Sequence, residues 1–209
     1  MEPVVHIVDD DESYRTATAR LLTAYGVKVE AHESGDQFLA RLPSCEAGCV
    51  LLDLQMPGQS GLQIQRKLCE LAPLLPIIFL TGEGDIKTGV DAMKAGAQDF
   101  LEKPSSVAVL MATIERALAQ YERRRAEHER LQERRTLVAS LSAREAEVFR
   151  LVVRGQLNKQ IAYALGISER TVKVHRHQVM EKLGAKSLAE VVSIAADICL
   201  DRGRSAVSE

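Results

Sequence analysis

The stretch VVHIVDDDES, residues 4–13, places an apolar run rich in β-branched residues directly before four consecutive acids. A short, continuous apolar run of this kind is typical of a strand buried on both faces, as in a parallel sheet. Neighbouring carboxylates repel one another, and acids at the end of a buried strand cost stability unless a cation compensates for them. The stretch therefore predicts a buried strand followed by acids that hold a positive charge.

The chain of 209 residues is long enough for two domains that each bury a core. No apolar run approaches the roughly 18 residues that span a bilayer, and the amino terminus lacks the segments of a signal peptide. We therefore expect a cytoplasmic protein without a membrane partner. The four cysteines are scattered, and Cys45 and Cys49 have no companion Cys or His pair at zinc spacing, which favours free thiols over a metal site.

The net charge of −2 hides an asymmetry along the chain. Residues 1–121 carry 10 Lys/Arg against 17 Asp/Glu, residues 122–136 carry 6 against 4, and residues 137–209 carry 11 against 8. An acidic front and a mildly basic rear suggest different partners, and only the rear half suits a polyanion.

The first 120 residues alternate between short apolar runs and segments with helical spacing of apolar residues. Gly, Pro or Ser marks each switch of period. The apolar runs lie at residues 4–8, 27–31, 49–52, 76–80 and 99–102. Five strands alternating with five helices predict a doubly wound parallel α/β sheet, whose ligands lie beyond the carboxyl ends of the strands.

The last helix of this domain is predicted to continue as a helical linker. Residues 107–136 contain neither Gly nor Pro, and residues 122–135 are dense in charge. Because acids nearly match bases there, a solvated helical spacer is favoured over a nucleic-acid-binding arm. Pairing of this helix as a coiled coil stays open. The predicted domain limits are 1–120, 121–136 for the linker, and 137–204.

The rear domain has the pattern of four helices. Three of its segments open on Ser or Asn as a helix cap, among them the one beginning at Asn158. Ser142 with Glu145, and Ser187 with Glu190, have the spacing of capping boxes. We therefore predict an all-α domain.

Five polar residues follow the strands of the predicted sheet: Asp9 and Asp10 the first, Asp53 the third, Thr81 the fourth and Lys103 the fifth. Parallel strands bring these positions to one edge. Three carboxylates there make an oxygen site suited to Mg²⁺. The central one, Asp53, could attack a phosphoryl group and become an acyl phosphate. Thr81 would donate a hydrogen bond to a phosphoryl oxygen, and Lys103 would neutralise its charge.

The motifs VDDD, LLDLQMPG, LTGEGD and AMKAGAQDFLEKP occur in this order, and with them residues 1–120 resemble the receiver domain of two-component response regulators. The resemblance implies a five-stranded sheet with strand order 2-1-3-4-5. It also implies that Asp53 is the phosphoacceptor and that Thr81 and Phe100 move together on phosphorylation. A purely structural role of Phe100 in the core stays open.

The same resemblance implies the ligands of a magnesium ion. Asp10 and Asp53 would bind it together with the backbone carbonyl of Gln55, and Asp9 would act partly through water. It further implies a cis peptide between Lys103 and Pro104 that aims the lysine into the site.

The segment NKQIAYALGISERTVKVHRHQVMEKLG, residues 158–184, has the form helix, short Gly turn, helix. Lys173, His175, Arg176 and His177 crowd the second helix near its start. Donors at that end of a helix are what a major-groove reader needs, although a merely solvated face would show similar charges.

Residues 141–200 resemble the four-helix output domain of NarL/FixJ (LuxR-type) regulators. The stretch that carries this resemblance is LSAREAEVFRLVVRGQLNKQIAYALGISERTVKVHRHQVMEKLGAKS. The resemblance implies that Lys173, Val174 and His177 face bases and that Thr171 and Arg176 contact phosphates.

Taken together, the motifs predict a FixJ-like response regulator. A sensor histidine kinase would phosphorylate Asp53, and the chain would then bind promoter DNA as a homodimer, with RNA polymerase left open as a further partner. One rival is a phosphorylation-independent DNA-binding regulator that uses its receiver only for dimerisation. A second is a Mg²⁺-dependent phosphatase, which is disfavoured because Gln55 stands where haloacid-dehalogenase-type phosphatases need a second acid. We therefore expect no enzyme activity beyond slow self-dephosphorylation.

Overall fold

The computed structural model describes residues 3–42, 48–82 and 86–205. The chain forms two compact units, Met1–Arg125 and Ala126–Glu209. None of the helices within the described ranges is both long and apolar enough to cross a bilayer. Cys49 and Cys69 are free thiols, as predicted, whereas Cys45 and the side chain of Cys199 lie outside the described residues.

The first unit is a doubly wound α/β sheet, as predicted. Its five strands are all parallel and have the order β2-β1-β3-β4-β5. The strands are β1 Val4–Val8, β2 Lys28–His32, β3 Gly48–Asp53, β4 Ile77–Thr81 and β5 Asp99–Glu102. The helices are α1 Glu12–Ala24, α2 Gly35–Arg41, α3 Gly61–Leu71, α4 Ile86–Lys94 and α5 Val107–Ala139.

Each face of this sheet is covered by its own hydrophobic cluster, because successive strand residues point to opposite faces. One cluster joins the sheet to α1 and α5, and the other joins it to α2, α3 and α4. The first contains Val5, Ile7, Leu22, Leu51, Ile78, Leu80, Leu110 and Ile114. The second contains Val8, Phe38, Val50, Leu52, Ile64, Leu68, Phe79 and Ala92. Burial on both faces explains the continuous apolar runs of β1, β3 and β4, whereas the edge strands β2 and β5 are only partly buried.

Two local features fix the chain where β1 and β3 end. Asp11 caps α1, since its carboxylate accepts hydrogen bonds from the backbone N–H groups of Ser13 and Tyr14 at 2.8 and 3.1 Å. Gly61 opens α3 against the end of β3: a Cβ on it would lie 2.4 Å from the carbonyl oxygen of Asp53. A larger residue would therefore displace the end of β3.

The α5 helix runs without a break from Val107 to Ala139 and includes the predicted linker. Its first half is anchored by buried Leu110 and Ile114, whereas residues 126–130 are exposed. Arg125 pairs with Glu122 at 3.7 Å on this solvated part. The continuity of the helix agrees with a charged spacer, while the limits of the domains stay a prediction.

The second unit contains four helices beyond the end of α5. They are α6 Ala143–Val153, α7 Asn158–Leu165, α8 Glu169–Lys182 and α9 Leu188–Ser205. They enclose one hydrophobic cluster, which includes Val148, Phe149, Ile161, Val172, Val179, Val191 and Ile194. The all-α prediction is therefore confirmed.

Of the predicted caps in this unit, the box of Ser142 with Glu145 is confirmed. Asn158 is not a cap but the first residue of α7, and its side chain is bonded to α8 instead. Ser187 accepts from the Glu190 N–H at 3.2 Å, but the Glu190 carboxylate reaches the N–H of Lys186. The second predicted capping box is therefore wrong. The Glu190 carboxylate bonds to the N–H of Lys186, one residue before the predicted cap Ser187, and not to the N–H of Ser187 itself.

Candidate functional site

The carboxyl ends of β1, β3, β4 and β5 meet at one edge of the sheet. Thr81 ends β4 and is buried, and the backbone N–H of Lys103 donates to its carbonyl at 2.6 Å. Asp53 ends β3, and Asp9 follows β1 directly. Residues that are far apart in sequence therefore lie at the same edge of the sheet, as the parallel topology predicts.

Lys103 bridges two of the acids at this edge. Its ammonium donates to Asp9 Oδ2 at 2.7 Å and to Asp53 Oδ2 at 2.9 Å. Burial favours the neutral amine, but the two carboxylates outweigh it and raise the pKa of Lys103 above its ordinary value. Lys103 therefore stays a cation and supplies part of the positive charge that the acidic cluster requires.

Asp9, Asp10 and Asp53 each place a carboxylate oxygen within 4.8 Å of the other two. Asp9 is fully buried and Asp10 is exposed. Burial, opposed by Lys103, raises the pKa of Asp9. Three hard oxygen donors facing one ammonium fit Mg²⁺, which prefers oxygen ligands and keeps several waters. Gln55 lies in the loop that follows β3, where its backbone N–H donates to Asp53 Oδ1 at 3.2 Å.

Two side chains on α1 support this site and were missed in the sequence. The ring of Tyr14 lies 4.5 Å from the Lys103 ammonium, a distance suited to a cation–π contact. Arg15 donates to the backbone carbonyl of Asp9 at 2.6 Å. Both lie in the first turn of α1, directly after the acidic run, but no sequence pattern distinguishes them from ordinary residues of an amphipathic helix.

The peptide between Lys103 and Pro104 is cis, which confirms the expectation from the receiver resemblance. Phe100 is half-buried and packs against the hydrophobic cluster that joins the sheet to α2, α3 and α4. Its ring lies 3.4 Å from where a Cβ on Gly89 of α4 would be. Phe100 is thus placed at the α4 side of β5, and its joint movement with Thr81 stays a prediction.

The α8 helix presents a polar face to solvent at the positions predicted to meet DNA. Lys173, Val174 and His177 are exposed, and Val174 keeps 51% of its accessible surface. Val172 and Val179 are buried and pack α8 into the core. The three predicted base contacts therefore lie on the side of α8 that faces away from the core.

The other two predicted DNA contacts are already engaged within the protein. Arg176 donates to the side-chain carbonyl of Asn158 at 2.8 Å and so joins α8 to the start of α7. Thr171 lies beside Ser168, with their hydroxyl oxygens 2.8 Å apart at the cap of α8. An open groove of about 610 Å³ lies between these helices, and its lining includes Lys159, Lys173, Arg176 and His177.

Comparison with known proteins assigns both halves of the chain. The response regulator receiver domain matches residues 5–115, and the luxR family of bacterial regulatory proteins matches residues 139–195. The transcriptional regulatory protein FixJ of Rhizobium meliloti is 44% identical over 191 residues, covering 91% of this chain and 94% of that protein. The response regulator protein TodT of Pseudomonas putida is 42% identical over 91% of this chain and 84% of its own length.

Solved structures agree with these matches. The response regulator StyR superposes with a TM-score of 0.82 at 42% identity and covers 94% of this chain and 99% of its own. Full-length FixJ from B. japonicum gives a TM-score of 0.59 at 37% identity, covering 96% and 98% of the two chains.

Proposed function

The chain belongs to the response regulators of the NarL/FixJ (LuxR-type) family, and from this we propose that phosphorylation of Asp53 controls its binding to promoter DNA. It is a two-component transcription regulator rather than a classical enzyme. The observation that carries the proposal is the pair of short hydrogen bonds from Lys103 to Asp9 and Asp53. These hydrogen bonds hold the carboxylate of Asp53, the proposed nucleophile, next to the compensating ammonium of Lys103.

Phosphoryl transfer would proceed from a phosphohistidine of a sensor histidine kinase. An oxygen of the Asp53 carboxylate attacks phosphorus, the new O–P bond forms as the N–P bond breaks, and the histidine nitrogen keeps the electron pair and later takes up a proton. Lys103 then donates to a phosphoryl oxygen, and the hydroxyl of Thr81 donates to another. Bound Mg²⁺ would neutralise charge on the transferring group, held by Asp9, Asp10, Asp53 and the carbonyl of Gln55.

The switch would act through the surface beside β5. Once the phosphoryl group draws Thr81 towards Asp53, the space behind Thr81 opens and Phe100 turns into it. The surface of α4, β5 and α5 then changes its contacts, and two chains pair on promoter DNA. In the second unit, Lys173, Val174 and His177 would read bases, and Arg176 and Thr171 would exchange their internal partners for phosphates.

The phosphoacceptor is tested by incubating the full-length protein with Mg²⁺ and acetyl phosphate and measuring the intact mass. We expect one phosphoryl group per chain, absent in Asp53→Asn and retained in the matched variant Asp91→Asn, an exposed acid on α4. Labelling that persists in Asp53→Asn would contradict the assignment of Asp53 as the phosphoacceptor. Omission of Mg²⁺ should slow labelling strongly.

The dependence on phosphorylation is tested separately, by promoter binding and sedimentation with and without acetyl phosphate. We expect tighter binding and a dimer only when Asp53 carries the phosphoryl group. Equal affinity and equal dimerisation of Asp53→Asn and wild type would instead establish the receiver as a constitutive dimerisation module. Multiple turnover of a small phosphoester would favour a phosphatase, whereas we expect slow loss of the label.

A further inference from the structure

A second cluster of titratable side chains lies on the same sheet, apart from the phosphoacceptor set. His6 is in the middle of β1, and in the parallel register it lies opposite Glu30 of β2. His32 follows Glu30 by two residues and therefore points to the same face. Phe38 of α2 covers both imidazoles, with ring centroids 5.3 Å from His6 and 5.1 Å from His32. The proposed signalling chemistry makes no use of these three polar groups.

The three side chains converge on one small volume. His32 Nε2 lies 3.4 Å from His6 Nδ1, and His6 Nδ1 lies 3.7 Å from Glu30 Oε2. One donor atom of each residue lies within 4.8 Å of the other two. Ligands about 2.0–2.1 Å from a tetrahedral Zn²⁺ ion are separated from one another by roughly 3.3 Å. The separations of 3.4 Å between the two imidazole nitrogens and 3.7 Å between His6 and Glu30 are therefore close to the edge length of such a tetrahedron.

Burial and neighbouring charge favour the metal-binding, neutral form of the His32 imidazole. Burial first, and then the facing His6, lower the pKa of His32 to about 4, while Glu30 opposes this shift and Arg41 of α2 adds to it. At neutral pH, His32 is therefore uncharged and can present a ring lone pair. Glu30 supplies the one negative charge of the cluster, and its side chain, 38% exposed, gives solvent a path to the three donors.

We propose that His6, Glu30 and His32 form a binding site for a transition-metal ion of the Zn²⁺ class, with water as a further ligand. Two nitrogens and one carboxylate suit such an ion better than Mg²⁺ or Ca²⁺, which prefer all-oxygen sets. The site fastens the edge strand β2 to β1. It also adjoins the acidic cluster at Asp9, because the carbonyl of His32 accepts a hydrogen bond from the N–H of Asp9 at 3.2 Å.

The experiment is a calorimetric titration of metal-free full-length protein with ZnCl₂ in excess Mg²⁺, which occupies the acidic site. We expect one Zn²⁺ per chain and at least a ten-fold loss of affinity in Glu30→Gln, which removes a partly exposed ligand and leaves the fold intact. The matched variant Glu33→Gln, an exposed acid just after β2, should bind like wild type. So should Cys69→Ser, which removes a thiol that is exposed on α3.

Two further measurements separate this site from the acidic one. Asp53→Asn should keep its Zn²⁺ affinity, and Co²⁺ should give the intense visible absorption of a four-coordinate site containing nitrogen ligands, which His32→Gln abolishes. Absence of Zn²⁺ binding, unchanged affinity in Glu30→Gln, or loss of binding in Asp53→Asn would each overturn the proposal. None of these outcomes bears on phosphorylation of Asp53, which the mass measurement tests by itself.

Discussion

The two units of the chain build their candidate sites in opposite ways. In the first, Lys103 meets Asp9 and Asp53 across 94 and 50 residues, so the site exists only once the sheet has formed. In the second, Lys173, Val174 and His177 lie within two turns of one helix. A site gathered by topology fails as a unit when one member is removed, whereas contacts spread along a helix face are lost one at a time.

The largest effect is expected from Lys103→Met. This change removes the cation that holds Asp9 and Asp53, and an oriented donor of this kind contributes about 10²–10³ in rate. We expect the rate of labelling by acetyl phosphate, followed by intact mass, to fall by about that factor. Lys67→Met, an exposed lysine on α3, is the matched control. An unchanged rate would show that Lys103 is structural and would weaken the contrast between the two sites.

The second effect concerns how closely α3 packs on the end of β3. In Gly61→Ala the added Cβ would meet the Asp53 carbonyl at 2.4 Å and the Phe79 ring at 2.8 Å. Overpacking of this kind costs about 1–3 kcal/mol. The urea midpoint of the receiver should fall and labelling should slow. Gly82→Ala, where a Cβ meets nothing within 4 Å, should leave the midpoint unchanged.

A smaller effect is expected from Lys173→Ala on the α8 face. We expect promoter affinity to fall about ten-fold, since each good side-chain contact contributes about 1–3 kcal/mol. The slope of log affinity against log salt should drop by about 0.9 if the ammonium displaces one counterion. Labelling of Asp53 should not change. If Lys173→Ala and Lys67→Ala had equal promoter affinity across a salt titration, the prediction that α8 lies in the DNA major groove would be wrong.

The smallest effect tests whether the second unit also depends on a distant pair. Lys182 donates to Glu145 Oε2 at 2.6 Å, and this bond, with the N–H of Ser142, lowers the pKa of Glu145 from 4.5 to about 2. A depressed carboxyl pKa stabilises the fold above the unfolded-state pKa, and this stabilisation is lost as the pH falls through the folded-state value.

Lys182→Met should therefore melt below wild type above about pH 4.5, and the difference in melting temperature should shrink towards about pH 2. Lys186→Met, an exposed lysine before α9, is the control. A difference that is constant with pH would indicate lost packing rather than a lost ion pair.

Some features could be predicted from the sequence because they depend on local patterns. The buried strands follow from their apolar runs, and the capping box of Ser142 with Glu145 follows from its residue types and spacing. The positions of Asp9, Asp53 and Lys103 at the ends of their strands predicted that these three residues would meet. Asn158 shows the limit of this reasoning: it has the type of a cap, but its side chain is bonded to Arg176 on another helix.

By itself, then, the sequence determined the doubly wound sheet, the four-helix unit and the residues at the acidic edge, since hydrophobic period and strand-end position are local properties. Only the tertiary structure decided that Asp9 is buried and contacts Lys103, while its neighbour Asp10 is exposed. It alone placed the ammonium of that lysine over the ring of Tyr14 and gathered His6, Glu30 and His32 on one face. Such contacts depend on the register and packing of distant segments, which no local pattern encodes.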